Sequence, residues 1–510
     1  MKKWPAKIKY IKLIINLIKF FIVMQKIKIP NGINFLSEIY QDTPSHRLIN
    51  KGITGCGGTT VELESKRHSI ILCPTKNLVT SKSKDLYLGV TGDTLTSQIK
   101  NYIYSDISYK KIIATYDALP RLMEIIPNYS EYFLLIDEYH LLFNDYSFRS
   151  DAILFVLNNF RKFKDWAFLT ATPLKEEFIL EELKDIDKVT YEWEGATKVN
   201  ITIRDTCFVQ KELLNLMDLY KDRNLHIFLN SVSTIYKITE KLDINSFRVV
   251  CSENSKSKIK NFSKINGPIK KYNFYTSCSF EGCDIYDKDG YCIIVSDTNI
   301  STTILDISTK IRQVCGRLRD SKYKDSVTLI LNTNKHRYAG TNKEDFLQEV
   351  EKCKFAGNNW CRIYNSSNEI DQDTLNRSYN KDTFATMYVR KYNERYFYDE
   401  NLRKMDLYNY NLISEIYSDS ISVLTECSNA GFTATMTPSL TKGVEWIKQE
   451  MLDRNKFEYT YQELESIFSP IFKEHNLKWD RTRSIKLFPN YTKKRKQIKG
   501  NRFTYYIFNI

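Results

Sequence analysis

Short runs of residues that are apolar throughout, rather than alternating with polar ones, recur along the first two-thirds of this 510-residue chain. The candidate strands are 69–73, 111–115, 133–136 and 167–170, then 226–229, 247–251, 272–276, 291–295 and 326–331. A polar or glycine-bearing turn follows each run, and then a helical pattern such as 232–242. Strict alternation marks a sheet with one wet face. Its absence marks strands covered on both faces, which is the condition of a parallel sheet flanked by helices. Two such series, about 45–195 and 196–335, predict an α/β chain with two lobes of similar size. After about 340 the strand rhythm stops and aromatic-rich helical patterns take over. At 42% hydrophobic and 27% charged residues the chain has material for packed cores, which excludes wholesale disorder.

The net charge of +14 is unevenly placed. Residues 1–30 carry eight lysines and no acid, and residues 476–510 carry ten Lys/Arg against Asp480 alone. The body between them averages close to neutral. An anionic partner, nucleic acid or an anionic membrane surface, is therefore expected at the ends. Eleven cysteines show no C-x2-C pair; the closest pair, Cys278 and Cys283, is C-x4-C without a second pair at finger spacing. Reduced thiols in a cytoplasmic protein, with no zinc, are the expectation.

Residues 10–24 form the most apolar stretch, but Lys12 and Lys19 interrupt it and no small-residue cleavage site follows. Three readings stay open for residues 1–23: a basic amphipathic helix touching a membrane surface, a helix packed on the body, or translated leader upstream of Met24.

Only 17 glycines occur in the chain, and four fall in residues 52–60, GITGCGGTT. The spacing from Gly52 to Thr59 fits a phosphate-binding loop whose backbone N–H groups point at phosphates from a helix start at 60–65. Thr59 takes the hydroxyl position that would hold Mg²⁺. Gly58 stands where such loops carry lysine, and Lys51, just before the loop, is the nearest replacement. Further on, the run ending in Asp137-Glu138, with His140 two residues later, puts carboxylates at the carboxyl end of a buried strand. One acid to hold Mg²⁺ and one to orient water is what nucleotide hydrolysis uses.

With these residues in hand, the chain resembles a DExH-type (DEAD/DEAH-box-like) superfamily 2 helicase over about 45–335. The box reads Asp137-Glu138-Tyr139-His140. Residues 70–79 resemble motif Ia, with Thr75 in the region that contacts the nucleic-acid backbone. Residues 114–119, including Thr115, resemble motif Ib. Thr170-Ala171-Thr172-Pro173 matches motif III, which links hydrolysis to strand binding through Thr170 and Thr172. Residues 226–232, with Ser231, resemble motif IV. Residues 275–285 resemble motif V through Thr276, Glu281, Gly282 and Asp284. Residues 313–319 resemble motif VI through Gln313, Arg317 and Arg319.

The resemblance implies two RecA-like parallel-sheet lobes with an ATP cleft between them. Lys51, Gly52, Thr54, Gly55, Cys56, Gly57, Gly58, Thr59, Thr60, Gly282 and Asp284 are the expected ATP contacts. Thr59 and Asp137 are the expected Mg²⁺ ligands, and Glu138, Asp137, His140, Gln313, Arg317 and Arg319 the catalytic set. Thr75, Thr115, Ser231 and Thr276 are the implied nucleic-acid contacts. Two departures stand out: Gly58 in the lysine position, and Asp320 where many members carry arginine.

Beyond the resemblance, 459–475 reads as a helix with Pro470 as a break point. A basic hairpin is expected around Lys493, Lys494, Arg495, Lys496, Lys499 and Arg502, inside a winged-helix-like nucleic-acid-binding module. The division expected is 1–30, 31–195 (lobe 1), 196–338 (lobe 2), 339–440 (a helical linker) and 441–510. The expected function is an ATP-dependent helicase or translocase on single-stranded or forked DNA, with RNA open, in replication or recombination alongside other replication proteins. The Lys-, Asn-, Ile- and Tyr-rich composition suggests an AT-rich genome and a phage or mobile-element source. The alternatives are a hydrolysis-impaired DNA-binding protein on the same scaffold, such as an origin-recognition factor, and a membrane-associated replication factor.

Overall fold

A computed structural model describes residues 24–508, apart from 85, 283, 334–341, 379–383, 393–394, 438–444, 475–478, 481–483, 486–487, 489–490 and 499–500. The readings made for residues 1–23 lie outside the described residues. No described helix is long and apolar enough to cross a membrane.

The architecture is α/β with two parallel-sheet lobes. Lobe 1 holds β1 (Met24–Ile29), β2 (Arg47–Asn50), β3 (Ser69–Cys73), β4 (Tyr87–Val90), β5 (Lys111–Thr115), β6 (Phe133–Asp137), β7 (Asp165–Thr170) and β8 (Lys188–Trp193), in the order β1-β8-β2-β7-β6-β3-β5-β4. Every pairing in it is parallel. β3, β5 and β6 are buried at every residue, which is why their sequences are apolar runs.

Lobe 2 holds β9 (Asn200–Asp205), β10 (Asn224–Phe228), β11 (Phe247–Val250), β12 (Tyr272–Tyr275), β13 (Gly290–Asp297) and β14 (Ser326–Asn332). Its sheet is also parallel, in the order β11-β12-β10-β13-β14-β9 followed by a later strand, β17 (Thr433–Met436). Each lobe carries apolar clusters on both faces of its sheet.

The last strand of that sheet comes from outside the expected lobe. Residues 339–440, read from sequence as a helical linker, carry a hairpin, β15 (Val389–Tyr392) and β16 (Arg395–Tyr398), and the strand β17 (Thr433–Met436). β17 pairs with β9. It is largely exposed, so it lacks the apolar run that would have revealed it.

The segment also ties the lobes together. The helix Glu400–Tyr410 docks on lobe 1: Tyr146 donates to Asp399 Oδ2 at 2.8 Å, and the Tyr408 ring stands edge-on to Phe143 and Phe178 at 5.4 and 5.1 Å. A π-helical turn, Asn411–Glu415, follows. Tyr417 then donates to the carbonyl of Leu305 in lobe 2 at 2.8 Å, and Val423 and Cys427 enter the lobe 2 core.

Residues from Glu445 on have a core of their own, with Tyr459, Leu464, Phe468, Phe472 and Phe508. The helix Tyr461–Glu474 runs unbroken through Pro470, correcting the expected break. The expected hairpin is present as β19 (Tyr491–Ile498) and β20 (Asn501–Phe508), joined in an antiparallel sheet by β18 (Glu458–Thr460).

Candidate functional site

The glycine loop leaves the end of β2 and feeds a helix, α1 (Gly58–Glu64), two residues earlier than expected. Gly52, Gly55 and Gly57 all take left-handed φ values of 75–77°. At Gly52 a side chain would also collide with the Tyr191 carbonyl and the Trp193 ring, so this position needs glycine on two counts.

Lys51 is pinned by its backbone: its N–H donates to the Thr170 carbonyl at 2.8 Å, and its carbonyl accepts from Trp193 Nε1 at 2.8 Å. Its stem lies 3.3 Å from where a β-carbon on Gly58 would be. Leu169 Cδ2 is nearer still, at 3.0 Å, so both side chains close over this glycine. The ammonium reaches Glu138 Oε1 at 3.0 Å and lies 3.7 Å from Asp137 Oδ1. Burial alone would lower the Lys51 ammonium, but the two carboxylates outweigh it and raise it above its ordinary value.

Thr59 donates to Asp137 Oδ2 at 2.8 Å. Lys82, at the end of α2 (Lys76–Lys82), is 3.8 Å from the same oxygen. Sequence reasoning passed over Lys82; only its place three residues beyond motif Ia hinted at it.

Glu138 takes φ = 52°, a left-handed conformation unusual for a residue with a side chain. Its Oε2 accepts from Thr170 Oγ1 at 3.0 Å and, across the cleft, from Gln313 Nε2 at 2.9 Å. Gln313 Nε2 is also 3.2 Å from Thr172 Oγ1, and Arg317 Nη2 donates to Gln313 Oε1 at 3.0 Å. Burial pushes the Glu138 carboxyl up, yet the Lys51 ammonium above all outweighs it and holds the group at about 2. Because Thr170 gives its proton to Glu138, its oxygen accepts from His140 Nδ1 at 2.8 Å. His140 Nε2 is then an unprotonated nitrogen, buried and without a hydrogen-bond partner among the described residues. Burial pushes this imidazole down to about 4, so it is neutral at physiological pH.

From lobe 2, Arg319 pairs with Asp284 at 2.7 Å, and its Nη1 donates to the Thr54 carbonyl at 3.3 Å. Arg312, not singled out from sequence, donates to the Gly52 carbonyl at 2.8 Å. Gly282, at φ = 71°, packs against Leu78 of lobe 1, and Gly316 against Thr54.

One cleft of about 1080 Å³ is walled by Lys51, Gly55–Thr60, Asp137, Glu138, Gly282, Asp284, Arg317 and Arg319, while Gly52 and Thr54 lie outside its lining. Thr75 lies on its wall and caps α2. Thr115, Ser231 and Thr276 are buried, and Ser231 caps the helix Val232–Thr239. Lys493, Lys494 and Arg495 are exposed on β19, whereas Lys496 is ion-paired with Glu458. Lys499 lies outside the described residues, and Arg502 is described only in its place on β20.

Glu281 sits beside this network, nearly inaccessible to solvent. Burial raises its carboxyl to about 7, with Asp145 and Glu138 adding and Lys310 and Arg317 opposing. A carboxyl raised above its unfolded value loses its stabilising protonated form as pH rises through 7. Glu281→Gln is therefore expected to raise Tm at pH 8 while matching wild type at pH 4, below the unfolded value of 4.5, as thermal melts at the two pH values will show.

No family model and no curated protein matches the chain. Solved structures similar to it include DEAD-box proteins. One is S. cerevisiae Dbp5 bound to RNA and ADP BeF3, at 13% identity and TM-score 0.41, covering 62% of this chain and 85% of that one. Another is a DEAD box protein from Methanococcus jannaschii, at 14% and 0.29, covering 56% and 82%. The yeast splicing factor Prp28 stands at 13% and 0.23, covering 65% and 81%. At these scores the likeness assigns no role to any residue of this chain.

Proposed function

We propose that this protein is an ATP-dependent nucleic-acid helicase or translocase, acting on single-stranded or forked DNA, with RNA as the other substrate to test. The observation that carries the reading is the Glu138 carboxylate, held by Lys51 from its own lobe and by Gln313 from the other. A charge gripped from both sides of a cleft makes the chemistry depend on the cleft being closed.

In this reading the β- and γ-phosphates lie on the loop 52–58, and Lys51 exchanges Glu138 for phosphate oxygens when ATP enters. Thr59 and Asp137, a hydroxyl and a carboxylate already in contact, suit Mg²⁺, which would offset phosphate charge when bound. Freed from Lys51, Glu138 takes the proton of the attacking water, with Thr170 and Gln313 fixing its orientation. Arg317 and Arg319 face the cleft as cations for the charge that develops on the transferred phosphoryl group. The exposed cations of β19 serve a nucleic-acid strand outside the cleft.

The rival reading, a DNA-binding scaffold that does not hydrolyse ATP, draws support from Lys51 and Arg319 both being engaged by carboxylates. ATP turnover measured with and without single-stranded DNA separates the two. Lys51→Ala is expected to raise the KM for ATP at least tenfold. Wild type showing no turnover at any DNA concentration would sink the motor reading. A Lys51→Ala variant as active as wild type would sink the role given to that lysine.

A further inference from the structure

Residues 339–440 lie beyond the stretch that resembles a helicase, yet two tyrosines from them hold the start of the element that carries Gln313. That element opens with a π-helical turn, Ile307–Ile311, and runs on through Arg312–Cys315. Asp306 caps it. Its Oδ1 accepts from Thr309 N at 2.6 Å and from Thr309 Oγ1 at 2.8 Å, and its carbonyl accepts from Ile311 N at 2.9 Å. One residue earlier, the Leu305 carbonyl accepts from Tyr417, whose oxygen in turn accepts from Ser296 Oγ at 3.0 Å. Tyr417 and Leu305 are both buried in lobe 2, so this grip stays within that lobe.

Tyr408 grips the next residue from the other lobe. Its ring stands against Phe143 and Phe178 of lobe 1, and Phe143 sits on the helix His140–Asn144, directly after Glu138 and Tyr139. The same side chain packs against an apolar cluster of lobe 2. Its hydroxyl has the Asp306 carboxylate and the Thr309 side chain as hydrogen-bond neighbours. A phenol turns about only two χ angles, so it keeps ring and hydroxyl at a fixed separation. One rigid group thus spans from the helix after Glu138 to the cap of the turn that leads to Gln313. Glu138 and Gln313 are the pair that meet across the cleft at 2.9 Å. Tyr408 itself lies outside the cleft lining.

A second bridge starts from the same segment. Glu426, buried on the helix Ser420–Asn429, pairs at 2.9 Å with Lys175, two residues after Pro173 of lobe 1.

We infer that Tyr408 is a positioning residue: it sets the register in which the lobe 2 turn presents Gln313 and Arg317 to Glu138, and with Glu426 it makes residues 400–429 a brace for the closed cleft. The inference deepens the proposed function, on which its kinetic consequence rests. The brace itself requires no ATP hydrolysis.

The test pairs ATP turnover with hydrogen–deuterium exchange of the full chain without nucleotide. Tyr408→Phe keeps the ring on lobe 1 and removes only the hydroxyl. A brace acts on the closed arrangement and leaves the phosphate loop intact. So kcat should fall about tenfold, the order set by a hydrogen bond to a charged group, with the KM for ATP within about twofold of wild type. Exchange should quicken by about the same tenfold in residues 52–58 and 312–317, which meet across the cleft, and stay unchanged in β3 and β13 inside the lobes. Glu426→Gln frees Lys175 and leaves Tyr408 in place. It should lower kcat about threefold at unchanged KM, the order that a partly exposed ion pair contributes, and it carries the test if the Tyr408 variant fails to fold.

Unchanged kcat and unchanged exchange in both variants overturn the brace and leave the proposed function standing. Faster exchange confined to residues 400–410 and their lobe 1 contacts shows local packing alone and also overturns it. A raised KM with kcat preserved overturns it by assigning Tyr408 to ATP binding. If wild type turns over no ATP while the variants quicken exchange across the cleft, the motor reading fails and the brace stands.

Discussion

Glu138→Gln is expected to cut strand-stimulated ATP turnover by about 10²–10⁴-fold, the usual contribution of a positioned general base. The substitution keeps size and shape, so the loss isolates the proton-accepting step. It also changes donors and acceptors. Oε1 faces the Lys51 ammonium, and Oε2 faces Thr170 and Gln313, all donors. An amide offers an acceptor to only one of these two sides and turns an N–H₂ group on the other. If the amide oxygen stays with Lys51, the bond to Gln313 across the cleft is broken. Single-turnover hydrolysis with saturating oligonucleotide reads the chemistry, and a fluorescent ATP analogue reads binding. A loss in turnover below tenfold would remove Glu138 from the role of base.

Gly316→Ala is expected to reduce turnover about a hundredfold, the order of effect that follows from moving reacting groups by roughly 1 Å. Gly316 has φ = −88°, which any residue adopts, so alanine brings volume and no backbone strain. That volume would overlap the Thr54 side chain in the opposite lobe. The lobes then cannot meet, and Gln313 and Arg317, on the same turn as Gly316, are carried away from Glu138. Adding Thr54→Gly removes the obstructing atoms and should restore turnover to the level of the Thr54→Gly single variant. Failure of the double variant to recover would show that Gly316 matters for something other than space.

The parallel sheets were legible because their central strands are covered on both faces and so spell out as apolar runs. Strands without that property were not. β1 is exposed at its first three residues, β2 and β4 have four residues each, and β17 is mostly exposed. The site was legible as motif positions along the chain. What sequence could not supply was direction in space: the stem of Lys51 passing over Gly58, Lys82 turning toward Asp137, and Arg312 reaching the Gly52 carbonyl. It also could not tell that Thr115, Ser231 and Thr276 point inward.

The strap after β14 has a consequence for how this chain is made. Lobe 2 begins its sheet with β9 at Asn200 but completes that edge only when β17 arrives at Thr433. Until then a growing chain presents the N–H and C=O groups of β9 unpaired, a template for joining another chain edge to edge. Val423, Cys427 and Phe432, which belong to the lobe 2 core, also arrive late. Synthesis therefore delivers lobe 1 with its eight-stranded sheet complete well before lobe 2, which must wait through the helix that docks on its neighbour. A gene fragment cut at the end of β14 would encode an apparently whole second lobe with one bare flank, and expression designs gain by extending past Met436.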